Sequence, residues 1–323
     1  MLVRIVREIC AEEDISISSF SYDWIMRLEK GGRYGFIYGY TFCLNGAAAA
    51  KICDDKCAAS DILLRSGIPA VEHHYFMAPG NIHFIGENGN WARIVKLFEK
   101  YETLVCKANS GTGGLDVFLI KDQLGLETAA HEIFTRNSDM AVSPYYPVKK
   151  EYRAIVLGGE VKLVYEKNIP FVEGDGKKTA RRLVLDYMSA NNALIGAGFD
   201  FDGLDKVLPE GEKFSLNWKS NLGLGASPEI VKDENLLSGV SSLSVNTAEA
   251  VSIDFASVDI IDTSEGLKVL EVNCGVMMEA FIRSAPENYI KAKGIYREAI
   301  LAMMGGASRS KVTVKRAPKR MFF

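Results

Sequence analysis

The stretch LVCKANSGTGGLDV, from Leu104 to Val117, decides how the rest of the chain is interpreted. An apolar segment ends at Lys107, a run of small residues follows, and the chain turns apolar again at Val117. This pattern predicts two strands joined by a glycine-rich loop. Glycines let backbone N–H groups approach an anion closely, and the lysine supplies a point charge, so the hairpin suits a phosphate group. An ordinary hairpin loop has the same composition, because glycine is a usual loop residue.

Composition is typical of a globular protein. The chain has 323 residues, of which 48% are apolar and 24% charged, and this length allows a large core with two or three subdomains. The net charge of −3 argues against a general nucleic-acid binder. The sequence has no uninterrupted run of about 18 apolar residues, so it predicts no membrane span. The N-terminus lacks a signal-peptide core. We therefore expect a cytoplasmic protein that binds neither nucleic acid nor membrane.

Cysteine and histidine spacing does not indicate a soft-metal site. Six cysteines are scattered, and only Cys53 and Cys57 are close, without a second ligand pair nearby. We expect reduced, mostly buried thiols rather than bound zinc. His73 and His74 are adjacent on an extended segment, so their side chains point to opposite faces and cannot share one ion.

A helix is predicted from the alanine run at 47–50 to about Arg65. Asn45 can cap its start, and a glycine and a proline follow its end. Asp55 and Lys56 would then lie in the middle of this helix. Without further context, they read as part of a solvated charged face.

The segment EYRAIVLGGEVKLVYEK, from Glu151 to Lys167, alternates as two strands around a Gly-Gly turn. Glu151 and Arg153 are two residues apart, so they share one face of the first strand. Lys167 falls at the end of the second strand. A solvated sheet face could carry the same charges.

A second hairpin is predicted with strands 257–262 and 267–273. Glu271 and Asn273 share one face of its second strand, and Asp259 can meet them across the hairpin. Three oxygen-bearing side chains on a buried sheet suit a hard cation such as Mg²⁺, with waters and phosphates completing its coordination. The alternative is a solvated strand face, but each of these residues lies in an apolar run, where an unpaired carboxylate is costly.

The order of these motifs resembles the ATP-grasp superfamily, closest to its glutathione synthetase, ribosomal-protein glutamate ligase and cyanophycin synthetase branches. The resemblance covers about residues 45–305. The ordered set comprises Asp55-Lys56, the lysine and small-residue loop at 107–114, Glu151-Tyr152-Arg153, Lys167, Asn221-Leu222, Asp259 and Glu271-Val272-Asn273. The run GDGKKT at 174–179, followed by a helix, is similar to the cyanophycin synthetase branch.

The resemblance implies an α+β (α/β) protein with the ATP-grasp fold, in which two α+β subdomains grip ATP between antiparallel sheets. Residues 1–45 would be a reduced N-terminal segment in place of the α/β domain of relatives. Residues 46–140 would form the first subdomain with the glycine-rich lid hairpin, and residues 141–305 the second subdomain with the Mg²⁺ site. Residues 306–323 are a basic tail whose composition predicts disorder.

The resemblance also implies roles for individual residues. The ATP-binding residues would be Lys56, Lys107, Ser110, Gly111, Thr112, Gly113, Gly114, Ser143, Tyr145 and Glu151. The catalytic residues would be Arg153, Lys167, Lys219 and Asn221, and the ligands of Mg²⁺, or of Mn²⁺ in its place, would be Asp259, Glu271 and Asn273. Phosphoryl transfer needs positioning, metal and positive charge more than a protein nucleophile, and no nucleophile–base pair stands out here.

The implied function is ADP-forming C–N ligation. ATP would phosphorylate a small carboxylate, and the amine of an amino acid or peptide would attack the acylphosphate. The alternatives are a regulatory ATP-binding module without catalysis, and an ATP-grasp kinase or ligase that uses a non-amine acceptor. The short N-terminal region implies a substrate site that is either reduced or completed by another chain, and it favours a homo-oligomer. The segment 274–278, CGVMM, replaces the small-residue-Pro-Gly turn of relatives.

Overall fold

The computed structural model describes residues 1–86, 91–111, 114, 116–191, 203–217, 222 and 226–305. The helices are α1 (Leu2–Glu12), α2 (Ala47–Asp54), α3 (Lys56–Arg65), α4 (Trp91–Tyr101), α5 (Gln123–Arg136), α6 (Ala180–Asn191), α7 (Glu234–Ala250), α8 (Glu279–Ser284) and α9 (Pro286–Met303), with a 3₁₀ helix at Pro79–Phe84. None of these described helices is both long enough and apolar enough to cross a bilayer.

The strands form four sheets, and every pairing between strands in the described residues is antiparallel. They are β1 (Ser16–Phe20), β2 (Ile25–Lys30), β3 (Arg33–Tyr38), β4 (Thr41–Phe42), β5 (His74–Met77), β6 (Leu104–Ala108), β7 (Val117–Ile120), β8 (Asp139–Pro144), β9 (Lys150–Leu157), β10 (Glu160–Asn168), β11 (Phe171–Glu173), β12 (Lys213–Ser215), β13 (Ser227–Ile230), β14 (Phe255–Thr263) and β15 (Gly266–Asn273). The three hairpins expected from the sequence, β6–β7, β9–β10 and β14–β15, are all present.

The central sheet has the order β13-β10-β9-β14-β15. One face is apolar along its length and is covered by α7, because alternate residues of the strands point to that side. The other face is divided. One part, which includes Ile155, Tyr165 and Phe255, packs against α1, α9 and the N-terminal strands. The remaining part carries charged side chains and forms the candidate site.

The N-terminal segment belongs to the same core as this divided face. Helix α1 buries Leu2, Ile5, Ile9 and their neighbours, and it packs against α9. The four-stranded sheet β1-β2-β3-β4 contributes Met26 and Ile37 to that core. Residues 1–45 therefore help to cover the central sheet. The subdomain boundaries at residues 45, 140 and 305 stay a prediction.

The segment 47–65 forms two helices, so the prediction of one continuous helix is wrong. Asp55 interrupts it in an extended conformation, with φ −104° and ψ 103°. Its Oδ1 accepts a hydrogen bond of 2.8 Å from the backbone N–H of Ala58, so it caps α3. Lys56 becomes the first residue of α3 instead of lying on a solvated mid-helix face, and its side chain is buried.

Asn45 does not cap α2, although that helix does begin at Ala47. Its side chain instead binds the backbone where β14 begins. Oδ1 accepts hydrogen bonds from the N–H groups of Phe255 (2.9 Å) and Asp254 (3.2 Å), and Nδ2 donates to the carbonyl of Phe255 (2.8 Å). A backbone group removed from water must find a partner, and here one amide side chain serves three such groups.

The other large sheet has the order β5-β8-β6-β7. Helices α4 and α5 cover one of its faces, and together they bury a core that includes Phe76, Ile94, Leu104 and Ile133. The opposite face presents Lys107, the last charged residue before the glycine-rich loop. A small third unit, made of β11, β12 and α6, has its own apolar cluster around Val172 and Val184.

We predict that Asn45→Ala lowers the free energy of unfolding by about 2–3 kcal/mol, because it leaves partly buried backbone groups of β14 without partners. Urea unfolding followed by circular dichroism measures this loss. Asn137→Ala is the control, since that side chain donates one hydrogen bond, to the Ile133 carbonyl at the end of α5. Equal losses in the two variants would contradict the role assigned to Asn45.

Candidate active site

Three neighbouring strands bring the predicted metal ligands to one face of the central sheet. Asp259 on β14 lies opposite Arg153 on β9 and opposite Glu271 on β15. Ser257 lies opposite Asn273. Directly opposed residues in antiparallel strands have their side chains on the same face. The structure thus places Asp259, Glu271 and Asn273 together, whereas their role as metal ligands stays a prediction.

A buried ion-pair network lies on this face. Arg153 donates from Nε to Asp259 Oδ1 at 2.6 Å and from Nη2 to Oδ2 at 2.7 Å. Lys167 Nζ lies 3.2 Å from Asp259 Oδ2 and also contacts Glu151. Burial raises the pKa of Asp259, but the charges of Arg153 and Lys167 outweigh it, so the pKa is lowered. Asp259 therefore stays ionised and fixes the guanidinium of Arg153 in one orientation.

Two lysines reach this face from outside the central sheet. Lys56, at the start of α3, donates to the carbonyls of Asn109 (3.2 Å) and Gly111 (2.5 Å), and its Nζ lies 3.7 Å from Glu271 Oε1. Lys107, at the end of β6, is only 7% exposed. Burial, together with the charge of Lys56, lowers its pKa to about 8, although the charge of Glu271 acts in the opposite direction.

The glycine-rich loop begins next to Lys56. Ser110 is exposed, and Gly111 follows it close to the strand, where an added Cβ would lie 3.0 Å from the Cβ of Ala108. Gly114 has a φ of +72°, a conformation that glycine adopts without strain. Thr112 and Gly113, which were also predicted to bind ATP, lie outside the described residues.

Two residues beside the lysines were not assigned a role from the sequence. Asn109 is buried, and its Oδ1 accepts a hydrogen bond of 3.1 Å from the N–H of Cys57, which ties the loop to α3. His73 is half-buried, and its Nδ1 contacts the Val71 carbonyl at 3.0 Å. Burial and the charges of both lysines lower the pKa of His73 well below its ordinary value, so it is neutral. The sequence could have indicated Asn109, because it is a polar residue at a strand–loop junction. No feature of the sequence pointed to a site role for His73.

Of the remaining predicted residues, two lie at the end of β8 and two fall outside the described ranges. Ser143 is buried on β8 opposite Val105, and the N–H of Tyr145 donates to the Thr103 carbonyl at 3.1 Å. Both lie just before β9, where the chain crosses from one sheet to the other. Lys219 and Asn221 fall outside the described residues, so their predicted catalytic roles are not tested.

The oxygen-rich face is not a preformed metal cluster. Among the residues that the structure describes, no three His, Cys, Asp or Glu side chains are grouped closely enough to hold a metal ion. Asp259 Oδ1 accepts one hydrogen bond, from Arg153, and keeps a second lone pair. The oxygens of Glu271 and Asn273 lie on the same face. This donor set suits a hard cation that also takes ligands from a substrate.

A family model described as the RimK-like ATP-grasp domain matches residues 205–292. The chain is similar to the bifunctional glutathione synthetase of Pasteurella multocida, with a TM-score of 0.51 and 17% identity over 85% of this chain and 40% of that one. It is also similar to the D-alanine–D-alanine ligase of Bacillus anthracis, with a TM-score of 0.52 and 17% identity over 81% of this chain and 69% of that one.

The chain has the ATP-grasp fold. A structure of the same Bacillus ligase complexed with ATP matches with a TM-score of 0.51 and 17% identity, over 80% of this chain and 68% of that one. The fold expected from the motif order is therefore confirmed. A search of curated proteins found no match. The chain spans 40% of the length of the bifunctional glutathione synthetase.

We predict that Lys107→Met changes how stability depends on pH. The pKa of Lys107 is about 8 in the folded protein against an ordinary value of 10.5, so between these values the unfolded chain binds a proton that the folded chain does not. Wild-type stability should therefore gain on the order of 3 kcal/mol, relative to the variant, as pH rises through this window.

Urea unfolding between pH 7 and 10.5 measures this difference. Lys121→Met is the matched control, because Lys121 is exposed just beyond the other strand of the same hairpin. Parallel stability–pH curves for wild type and Lys107→Met would show that Lys107 is not desolvated.

Proposed function

We propose that this ATP-grasp protein is an ATP-dependent carboxylate–amine ligase that forms an amide or peptide bond and releases ADP and phosphate. One observation carries the proposal: four cations and three carboxylates converge where the two large sheets approach each other. The cations are Lys56, Lys107, Arg153 and Lys167, and the carboxylates are Glu151, Asp259 and Glu271. The surplus of positive charge, much of it desolvated, favours a polyanionic ligand such as a triphosphate.

The names of the structural neighbours support the reaction class. Glutathione synthetase and D-alanine–D-alanine ligase both join a carboxylate to an amine, and one neighbour is a complex with ATP. The matched family model supports the same superfamily.

ATP would lie between the two large sheets. Lys56 and Lys107 would contact its phosphates, and the loop 110–114 would close over them. Glycines in that loop serve both close approach and movement, since the loop must open to admit ATP and close to keep water from an acylphosphate. Ser143, Tyr145 and Glu151 would complete the nucleotide site at the crossing between sheets.

Mg²⁺, or Mn²⁺ in its place, would be held by Asp259, Glu271 and Asn273, whose oxygens share one face. When bound, such a cation neutralises charge on the phosphates of the nucleotide. The free lone pair on Asp259 Oδ1 is compatible with this role while Arg153 remains in place.

The residues of this chain would act mainly by positioning and charge. Arg153, held by Asp259, and Lys167 would face the γ-phosphoryl group as it passes to an oxygen of the carboxylate substrate, which gives ADP and an acylphosphate. The amine nitrogen then bonds to the acyl carbon, phosphate leaves, and the amine loses a proton. Lys219 and Asn221 would assist at the phosphates. This sequence needs no protein nucleophile.

Phosphate release distinguishes the proposal from its alternatives. The assay supplies Mg-ATP with pairs of candidate carboxylates and amines, and with hydroxylamine, which converts an acylphosphate into a hydroxamate. A ligase gives amine-dependent phosphate release and a hydroxamate. A kinase with another acceptor gives a phosphorylated product without either. A regulatory module binds ATP and gives no turnover.

We predict that Glu271→Ala lowers phosphate release by at least 100-fold, because it removes an oxygen ligand and the carboxylate nearest Lys56 and Lys107. Initial rates of phosphate release under saturating Mg-ATP measure the effect. Glu265→Ala is the matched control, since Glu265 is exposed in the turn of the same hairpin. Full activity in a folded Glu271→Ala protein would overturn the metal assignment.

A further inference from the structure

The outer face of the N-terminal sheet carries a group of exposed aromatic side chains. Alternate residues of β2 and β3 point to opposite faces, so Met26, Leu28 and Ile37 enter the core while their neighbours point outward. The outward set, here called the aromatic face, consists of Phe20, Trp24, Tyr34, Phe36 and Tyr38 together with Ile25, Arg27 and Glu29. Each of its five aromatic residues exposes at least 41% of its surface.

Strand register makes the aromatic face one continuous patch. Phe20 on β1 lies opposite Ile25 on β2, and Ile25 lies opposite Tyr38 on β3. Arg27 lies opposite Phe36 in the next outward row. Directly opposed residues of antiparallel strands have neighbouring side chains on one face. The rings therefore form a single surface that spans three strands.

Contacts between the side chains hold this surface in place. The rings of Trp24 and Tyr38 meet edge to face with centroids 6.1 Å apart, and those of Tyr34 and Phe36 do the same at 5.9 Å. The guanidinium of Arg27 lies over the ring of Tyr34, 4.7 Å from its centroid. Side chains that are already ordered lose less conformational freedom when a partner covers them, so the patch is prepared for binding.

The exposed apolar area is large for a surface that meets only water. With about 200 Å² for the full surface of each ring side chain, the five aromatic residues together expose on the order of 500 Å². Patches of this size on single chains mark interaction sites more often than not. A standard protein–protein interface buries about 800 Å² on each partner, and the aromatic residues alone supply more than half of that area.

The charges of the aromatic face select the kind of partner. Arg27 and Glu29 form an ion pair of 2.9 Å, so the face has no net charge. Lys30 and Arg33 lie at its margin, and each donates to a backbone carbonyl of its own chain. A nucleic acid needs cations that are available to its phosphates, so it is disfavoured here. A patch with one charge of each sign complements a second copy of itself.

We propose that the aromatic face is a self-association surface, on which two copies of this chain pack face to face about a two-fold axis. The rings of the two sheets would interdigitate as they do in the core of a β-sandwich. The symmetry would place Arg27 of each copy near the partner's Glu29, which gives four charges of alternating sign. This proposal does not depend on the ligase function, because it involves none of the residues of the candidate active site.

Sedimentation equilibrium of the full chain tests self-association directly. An interface of this size and composition should give a dimer with a Kd of about 1 μM or tighter. Wild type that stays monomeric well above that concentration would overturn the proposal.

Phe36→Glu should raise the Kd of the dimer by at least 100-fold, because it would bury a carboxylate without a partner on each side of the interface. Phe36 is suited to this test since it is exposed in the single chain, so the variant should keep its fold, which circular dichroism checks. Phe84→Glu is the matched control, because Phe84 is an exposed aromatic residue in the 3₁₀ helix, outside the aromatic face. A dimer that survives Phe36→Glu would rule out this surface.

A charge exchange tests the two-fold arrangement. Arg27→Glu and Glu29→Arg should each weaken self-association by about 10-fold or more at low salt, because each copy then presents two like charges to its partner. An equimolar mixture of the two variants should associate more tightly than either variant alone, since opposite pairs then meet. Loss of packing or of folding would not be repaired by mixing, so a mixture that associates no better than its components would contradict the arrangement.

Discussion

The bidentate ion pair between Arg153 and Asp259 is the interaction on which the candidate site depends. Both side chains are removed from water in the middle of the central sheet, and their geometry is fixed by strand register. Taking two charges out of water is expensive, and the pair is retained only because two short hydrogen bonds and the nearby Lys167 satisfy it. Removing one partner would leave the other charge buried and uncompensated.

The carboxylate of Glu271 explains why the two lysines from outside the central sheet can be desolvated. Lys56 and Lys107 approach Glu271 at the edge strand β15, and that carboxylate partly offsets their repulsion. The offset is incomplete, as the lowered pKa of Lys107 shows. The folded chain therefore holds positive charge at some cost in stability, and a bound polyanion would recover that cost. Such an arrangement favours a ligand site over a purely structural ion-pair cluster.

Features that depend on local periodicity could be predicted from the sequence. Strand alternation placed Glu151 with Arg153, and Asp259 with Glu271 and Asn273, on shared faces, and the order of motifs indicated the fold. Features that depend on contacts distant in sequence could not be predicted. Asn45 binds β14 instead of capping α2, because tertiary partners compete with the helix cap that local rules favour. The cap that Asp55 provides for α3 is a local contact, and the prediction of one continuous helix missed it. His73 became notable only when two lysines were brought beside it.

The N-terminal segment gives the clearest case of structure that depends on contacts distant in sequence. By length alone it reads as the remnant of a larger domain. In the folded chain it helps to cover part of the face that carries the ion-pair network, and the turn containing Tyr40 holds the segment after β15. The same tyrosine is the hydrogen-bond donor to Glu279. A short N-terminal region can therefore fix the loop that follows the central sheet.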